Sequence, residues 1–171
     1  LYFPVVAAVA GSADAFFRTD ARVLNRGAGD AALSFEYYPE GAAGNTAPAA
    51  VVDVTIAAGE QGVYDDLVAT LFNVTNGKGA VRLVADQPVT AYARIYNDQR
   101  DAGLGTFGQL SKALGMTEAL SSGLVLFLSN EDPATAMGYR ANIGWFNPNA
   151  TAVNLTLRAY DAGGTMLGEL N

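Results

Sequence analysis

Oxygen ligands and aromatic rings are the side chains with most chemical potential in this sequence. Asn97, Asp98 and Asp101 fall in one polar stretch, and acidic pairs stand at Asp65-Asp66 and Glu131-Asp132. Oxygen-rich loops can hold calcium, which takes about 6–8 oxygen ligands in flexible geometry. None of these groups has a dedicated ligand spacing, and Asp98 and Asp101 are the leading candidates among them. Two carboxylates can also hydrolyse a glycosidic bond, but only at a fixed separation and with one pKa raised, and nothing in the sequence marks such a pair. Tyr92, Arg94 and Tyr96 recur at every second position. On a strand they share one face, where exposed rings stack on sugars or anchor a protein interface.

Two absences narrow the chemistry. The chain has no histidine and no cysteine, so Ser-His-Asp and Cys-His nucleophiles, disulfides and the usual zinc and iron centres cannot be built. No catalytic residue and no cofactor is expected. The net charge is −7 and the ten Lys and Arg residues are scattered, which repels phosphate backbones and argues against a nucleic-acid partner. Gly103-Leu104-Gly105-Thr106-Phe107-Gly108 matches the dinucleotide fingerprint letter for letter, yet that motif needs an apolar strand before it and a long helix after it. Here it follows Asp98-Gln99-Arg100-Asp101 and soon meets Gly115. It reads as a glycine-rich loop.

The elements that must position these groups are strands. Half of the 171 residues are hydrophobic, interrupted by 19 glycines, which suits short strands joined by tight turns. Period-two alternation runs through Phe17-Thr19-Ala21-Val23, Leu33-Phe35-Tyr37, Val52-Val54-Ile56, Val81-Leu83-Ala85 and Val89-Ala91-Ala93-Ile95, the pattern of strands with one buried face. Leu67, Val68, Leu71 and Phe72 stand at helical spacing behind Asp65 and Asp66, so a short helix is expected there. The polar, glycine-rich stretch from Asp98 to Ser122 reads as a long loop with a second short helix around Leu110 to Leu114; a loop of that length is functional or assembly-related. Leu1 to Ala10 is apolar without basic residues and about half of the ~20 residues needed to span a bilayer. It reads as the first strand of a mature, exported chain whose signal peptide has been removed, with no membrane span.

The sequence also matches itself without gaps at an offset of 122 residues: Phe17 to Asn25 lies over Tyr139 to Asn147, and Ala31, Leu33, Phe35 and Tyr37 lie over Val153, Leu155, Leu157 and Ala159. Aromatic, Arg, Asn and alternating apolar positions coincide, which marks an internal repeat built on matched hairpins. Tyr38 and Tyr160 fall on outward positions of these hairpins and Trp145 on an inward, core position. The first copy spans 1–122 and a partial second copy spans 123–171 within a single pseudo-symmetric unit over 1–171.

Phe16-Phe17-Arg18-Thr19-Asp20 with Asn25, Pro88-Val89 leading to Ala93-Arg94-Ile95-Tyr96-Asn97, and Gly105-Thr106-Phe107-Gly108-Gln109 together resemble a repeat found in tandem in uncharacterised secreted bacterial proteins with immunoglobulin-like β-sandwich domains. The resemblance covers about residues 1–125, with a second copy opening near Leu124. It implies an all-β, immunoglobulin-like sandwich of antiparallel strands at the cell surface or outside the cell, and it transfers no catalytic residues.

A second copy stopping at Asn171 would present an apolar face and unpaired edges, which soluble proteins avoid. The two copies' hairpins could pack as halves of one sandwich, a neighbouring chain could donate a strand, or the sequence is part of a longer array. Tyr2, Phe3, Val5, Val6 and Val9, ahead of the small-residue break Gly11-Ser12-Ala13, form the candidate strand for exchange between chains. Head-to-tail exchange does not close and so makes fibres. The expected function is therefore a non-catalytic extracellular structural subunit that self-associates into a filament or surface layer. The alternative is an adhesive module with a glycan or cell-surface partner. Asn73, Asn149 and Asn154 open Asn-x-Thr sequons that would accept glycans on a surface loop.

Overall fold

Small and branched apolar residues alternate with polar ones along most of residues 2–112, and these stretches join into one eight-stranded antiparallel sheet. The structure, a computed structural model, describes residues 1–11, 14–42, 46–125 and 143–171. Its strands are β1 (Tyr2–Ala10), β2 (Phe16–Asn25), β3 (Ala31–Pro39), β4 (Ala50–Ile56), β5 (Gln61–Tyr64), β6 (Gly77–Ala85), β7 (Val89–Gln99) and β8 (Gly105–Lys112). The order is β4-β3-β6-β1-β2-β7-β8, with β5 beside the end of β2. The chain is thus all-β and mostly antiparallel. β4, β3, β6 and β1 form one half, and β5, β2, β7 and β8 the other.

One core lies between the halves. Phe3, Leu33, Phe35, Val81 and Leu83 enter it from the first half, and Ala21, Val23, Ala91 and Ala93 from the second. Small side chains on β2 and β7 leave room for Leu67 and Val68 of a single helix, α1 (Leu67–Phe72), which are fully buried. Each large apolar side chain so buried contributes roughly 1.5–3 kcal/mol. The helical spacing read from the sequence is confirmed, but Asp66 stands before the helix in a left-handed conformation without a capping side-chain hydrogen bond. Its carboxylate is committed to Arg18 instead.

Two expectations are corrected. β2 and β3 do not form a hairpin: β2 pairs with β7 along its whole length, while β3 pairs with β4 and β6. The chain crosses from one half to the other between them. The helix expected around Leu110 to Leu114 is strand β8, antiparallel to β7 from Tyr92↔Lys112 to Gln99↔Gly105. The glycine-rich motif supplies its start, with Gly103 and Gly105 at positive φ. A Cβ on Gly108 would lie 2.3 Å from the Ile95 carbonyl oxygen, so this glycine is required by strand pairing, not by a phosphate. Among the described residues the buried core is built from positions before Leu114. Leu157–Tyr160 (β9) and Met166–Leu170 (β10) pair only with each other in a separate two-stranded sheet.

β1 ties the two halves together. One edge pairs with β6, with an irregularity between Phe3 and Val6 that accommodates Pro4 where no N–H is available. Along the other edge Val9 and Ala10 pair with Phe17 and Phe16, and Tyr2 bridges to Leu114. Between these contacts the backbone partner is a side chain: the Ala7 N–H donates to Thr19 Oγ1 at 2.7 Å and Thr19 Oγ1 donates to the Ala7 carbonyl at 3.1 Å. Asn25 closes the crossing. Its Nδ2 donates to the carbonyls of Gly29, Ile56 and Ala57 at 2.8, 3.0 and 3.2 Å, and its Oδ1 accepts the Gly27 N–H at 2.8 Å. Thr19 and Asn25 are the fully buried polar side chains among the described residues.

Thr19→Val keeps the shape but strips a buried N–H and a carbonyl of their partner, and should lower unfolding free energy by about 1–3 kcal/mol. Asn25→Ala orphans more groups and should cost about 2–4 kcal/mol. Urea unfolding followed by circular dichroism checks both; a Thr19→Val variant as stable as the parent would show that the hydroxyl is not what joins β1 to β2.

Candidate assembly surface

Of the residues singled out in the sequence, the N-terminal strand is placed most firmly. Phe3 and Val6 are fully buried, Val9 and Tyr2 are half-buried and Val5 is exposed. Withdrawing β1 from its own fold would remove roughly 3–6 kcal/mol of burial from Phe3 and Val6 alone, set against a total stability of about 5–15 kcal/mol for a typical domain. The small-residue break after it, Ser12 and Ala13, lies outside the described residues.

The outer face of β2 and β7 carries a network of charges. Arg18 pairs with Asp66, and its Nε lies 3.2 Å from Asp98 Oδ2. Arg100 Nη2 and Nε donate to the two oxygens of Asp98 at 2.6 and 2.7 Å. Tyr96, expected on an exposed face, is buried here: its hydroxyl donates to Asp20 at 3.2 Å and the Arg94 guanidinium stands 4.7 Å over its ring. Burial and the neighbouring Asp20 carboxylate push the Tyr96 hydroxyl pKa upward. Arg94 also donates to Thr106 at 2.8 Å. Tyr92 alone of the three projects freely into solvent.

The calcium candidates do not converge. Asp98 is held by guanidinium groups while Asp101 sits on an exposed turn, and no set of three or more acidic side chains able to hold a metal ion comes together among the described residues. No helix among the described residues is long and apolar enough to cross a membrane. Glu131 and Asp132 lie outside the described residues, as do the expected strand from Leu126 onward and Tyr139 to Asn142.

The C-terminal segment exposes a series of large apolar side chains. Ile143, Trp145, Val153, Leu155, Tyr160, Met166, Leu167 and Leu170 are exposed, so Trp145 is corrected from core to surface. Phe146 packs against the body. The Phe146 ring lies 5.5 Å from that of Tyr2 and 6.0 Å from that of Tyr38. Beside it Arg82 and Glu36 form an ion pair at 3.3 Å, and the Tyr38 hydroxyl donates to Glu36 at 2.8 Å. Tyr2, Tyr38, Arg82, Phe146, Asn147 and Pro148 help line a depression of about 270 Å³. Phe146 was not singled out from the sequence, and only its position in the repeat, over Leu24, sets it apart. Leu24 is likewise on an outward face and exposed.

No protein family matches the chain, nor does any curated protein or solved structure.

The Arg100 hydrogen bonds hold the Asp98 carboxyl at about 2, below its ordinary 3.8. A carboxyl depressed on folding stabilises the fold above its unfolded pKa, and that contribution is lost as pH falls through the folded value. Stability should therefore decline between about pH 4 and pH 2, and less steeply in Asp98→Asn. Thermal unfolding across that range, with an NMR titration of the Asp98 carboxyl, tests the effect. Titration at the ordinary value would remove the basis for it.

Proposed function

We propose that this protein is a non-catalytic structural subunit that assembles with other chains outside the cell, in a filament or surface layer. The observation that carries this is the C-terminal segment: an exposed hairpin whose apolar residues join no core among the described residues, beside a body with a buried core. An isolated two-stranded hairpin is marginal in water, and contiguous exposed apolar surface marks an interaction site. The body, by contrast, offers β1 as an integral strand. The exchanging element of the assembly is therefore the C-terminal hairpin and not the N-terminal strand.

A second reading, a glycan-binding module, draws on the depression at Tyr2, Tyr38, Phe146 and Arg82, where rings and an ion pair line a concave surface, and on the exposed Tyr92 ring. Glycan-array signal lost in Tyr38→Ala or Tyr92→Ala would favour it.

Sedimentation velocity and negative-stain microscopy test assembly. The chain should associate with rising concentration, and Leu155→Asp with Leu167→Asp should abolish association while leaving the melting temperature of the body unchanged. Deleting residues 1–10 should unfold the body. A chain that stays monomeric at every concentration, with or without the aspartates, rules the assembly reading out.

A further inference from the structure

The turn at Asn25 and the turn at Asn147 are built alike. In the first, Asn25 Nδ2 donates to the carbonyl four residues on, at Gly29, and Oδ1 accepts the N–H two residues on, at Gly27, both at 2.8 Å. In the second, Asn147 Nδ2 donates to the Thr151 carbonyl at 2.8 Å and Oδ1 accepts the Asn149 N–H at 3.0 Å. These residues stand 122 positions apart, at the offset where the sequence overlays itself. The strands beyond the turn agree as well. Leu157 opposes Leu170 in the β9–β10 hairpin as Phe35 opposes Val52 in the β3–β4 hairpin, both antiparallel. The hairpin connection is shorter in the second, so the offset falls to 118 at Leu170, being 170 less 52.

Burial is where the copies part. Ala21, Val23, Ala31 and Leu33 are 0, 0, 0 and 2% exposed. Their counterparts Ile143, Trp145, Val153 and Leu155 are all apolar and are 39, 58, 56 and 41% exposed. In the first copy β2 and β3 lie in opposite halves and these residues meet in the shared core, where β2 is flanked by β7, with Ala91 beside Val23 in register, β3 is flanked by β6, and Leu67 and Val68 of α1 join them. Asn25 spends two further hydrogen bonds there, on the carbonyls of Ile56 and Ala57.

We infer that residues 143–171 are a second copy of β2, β3 and the start of β4, and that their exposed apolar side chains are the docking surface for a segment with the chemistry of residues 54–122, which would flank and cover them as β5 to β8 and α1 complete the first copy. Its occupant is a strand set of the β5–β8 kind, with small residues such as Ala opposite Trp145 and backbone carbonyls placed to accept from Asn147 Nδ2. This inference rests on the C-terminal segment being an association element and specifies what it associates with.

Trp145 is the single tryptophan of the chain and reports the covering of that face directly. Leu170 corresponds to Val52, so Asn171 corresponds to Asp53, and residues 54–122 appended after Asn171 continue the second copy in register. In this extended chain Trp145 emission should shift to the blue and its quenching by acrylamide should fall several-fold. Asn147→Ala, or Asp at the appended counterparts of Ala91 and Ala93, should reverse both changes, while the first unit keeps its cooperative unfolding. Emission from a solvent-exposed indole in the extended chain overturns the inference. So does a blue, protected Trp145 in the parent chain at high dilution, which would mean that the body already covers the face, or one appearing only as concentration rises, which would assign the face to a second copy. Sedimentation of the parent chain is read separately: a monomeric parent with a buried Trp145 in the extended chain leaves this inference standing and removes self-assembly.

Discussion

The fold depends on how β1 meets β2. Two sheet halves sharing one core must be joined without leaving backbone groups unsatisfied inside it, because a buried orphan donor or acceptor costs about 1–3 kcal/mol. β1 runs along β6 on one edge and can pair with β2 only at its final residues before the two strands diverge. Where they separate, the Thr19 hydroxyl fills the gap, accepting from the Ala7 N–H and donating to its carbonyl. A hydroxyl can act in both senses at once, which valine of the same shape cannot. That single side chain permits the first strand of the chain to be an interior strand.

This placement decides what the N-terminal segment can do. Apolar composition and a following small-residue break are equally compatible with a strand that leaves its domain and one that holds it together. In this fold Phe3 and Val6 are core residues, and β1 pairs with β6 at Tyr2 and Phe3 and again from Val6 to Ala8. The surplus of apolar surface lies at the other end of the chain. β9 and β10 close no core among the described residues, and exposed strand edges invite pairing.

Much of the body was legible in the sequence because alternation is a local signal. β2, β3, β4, β6 and β7 fall where period two places them, with Ala21, Val23, Leu33 and Phe35 on the inward faces. Pairing is not local. Nothing within residues 17–38 says that β2 and β3 belong to different halves, which is decided by β7 competing successfully for β2. β8 was hidden because two glycines, Gly105 and Gly108, and exposed residues mask its alternation, and it forms along the edge of β7. Tyr96 lies on the outward face as expected but is buried by side chains from elsewhere in the sequence, Asp20 and Arg94.

Trp145 shows why a periodic pattern and a core are different things. Its neighbours alternate as faithfully as those of Val23, and the Asn147 turn shares two hydrogen bonds with the Asn25 turn. Pattern and turn chemistry are properties of a short segment and survive without a partner. Burial requires a second surface of matching shape, and side chains of this kind gain their roughly 1.5–3 kcal/mol only once that surface arrives. Ile143, Trp145, Val153 and Leu155 would be buried only against such a surface, as Ala21, Val23, Ala31 and Leu33 are by the core they share.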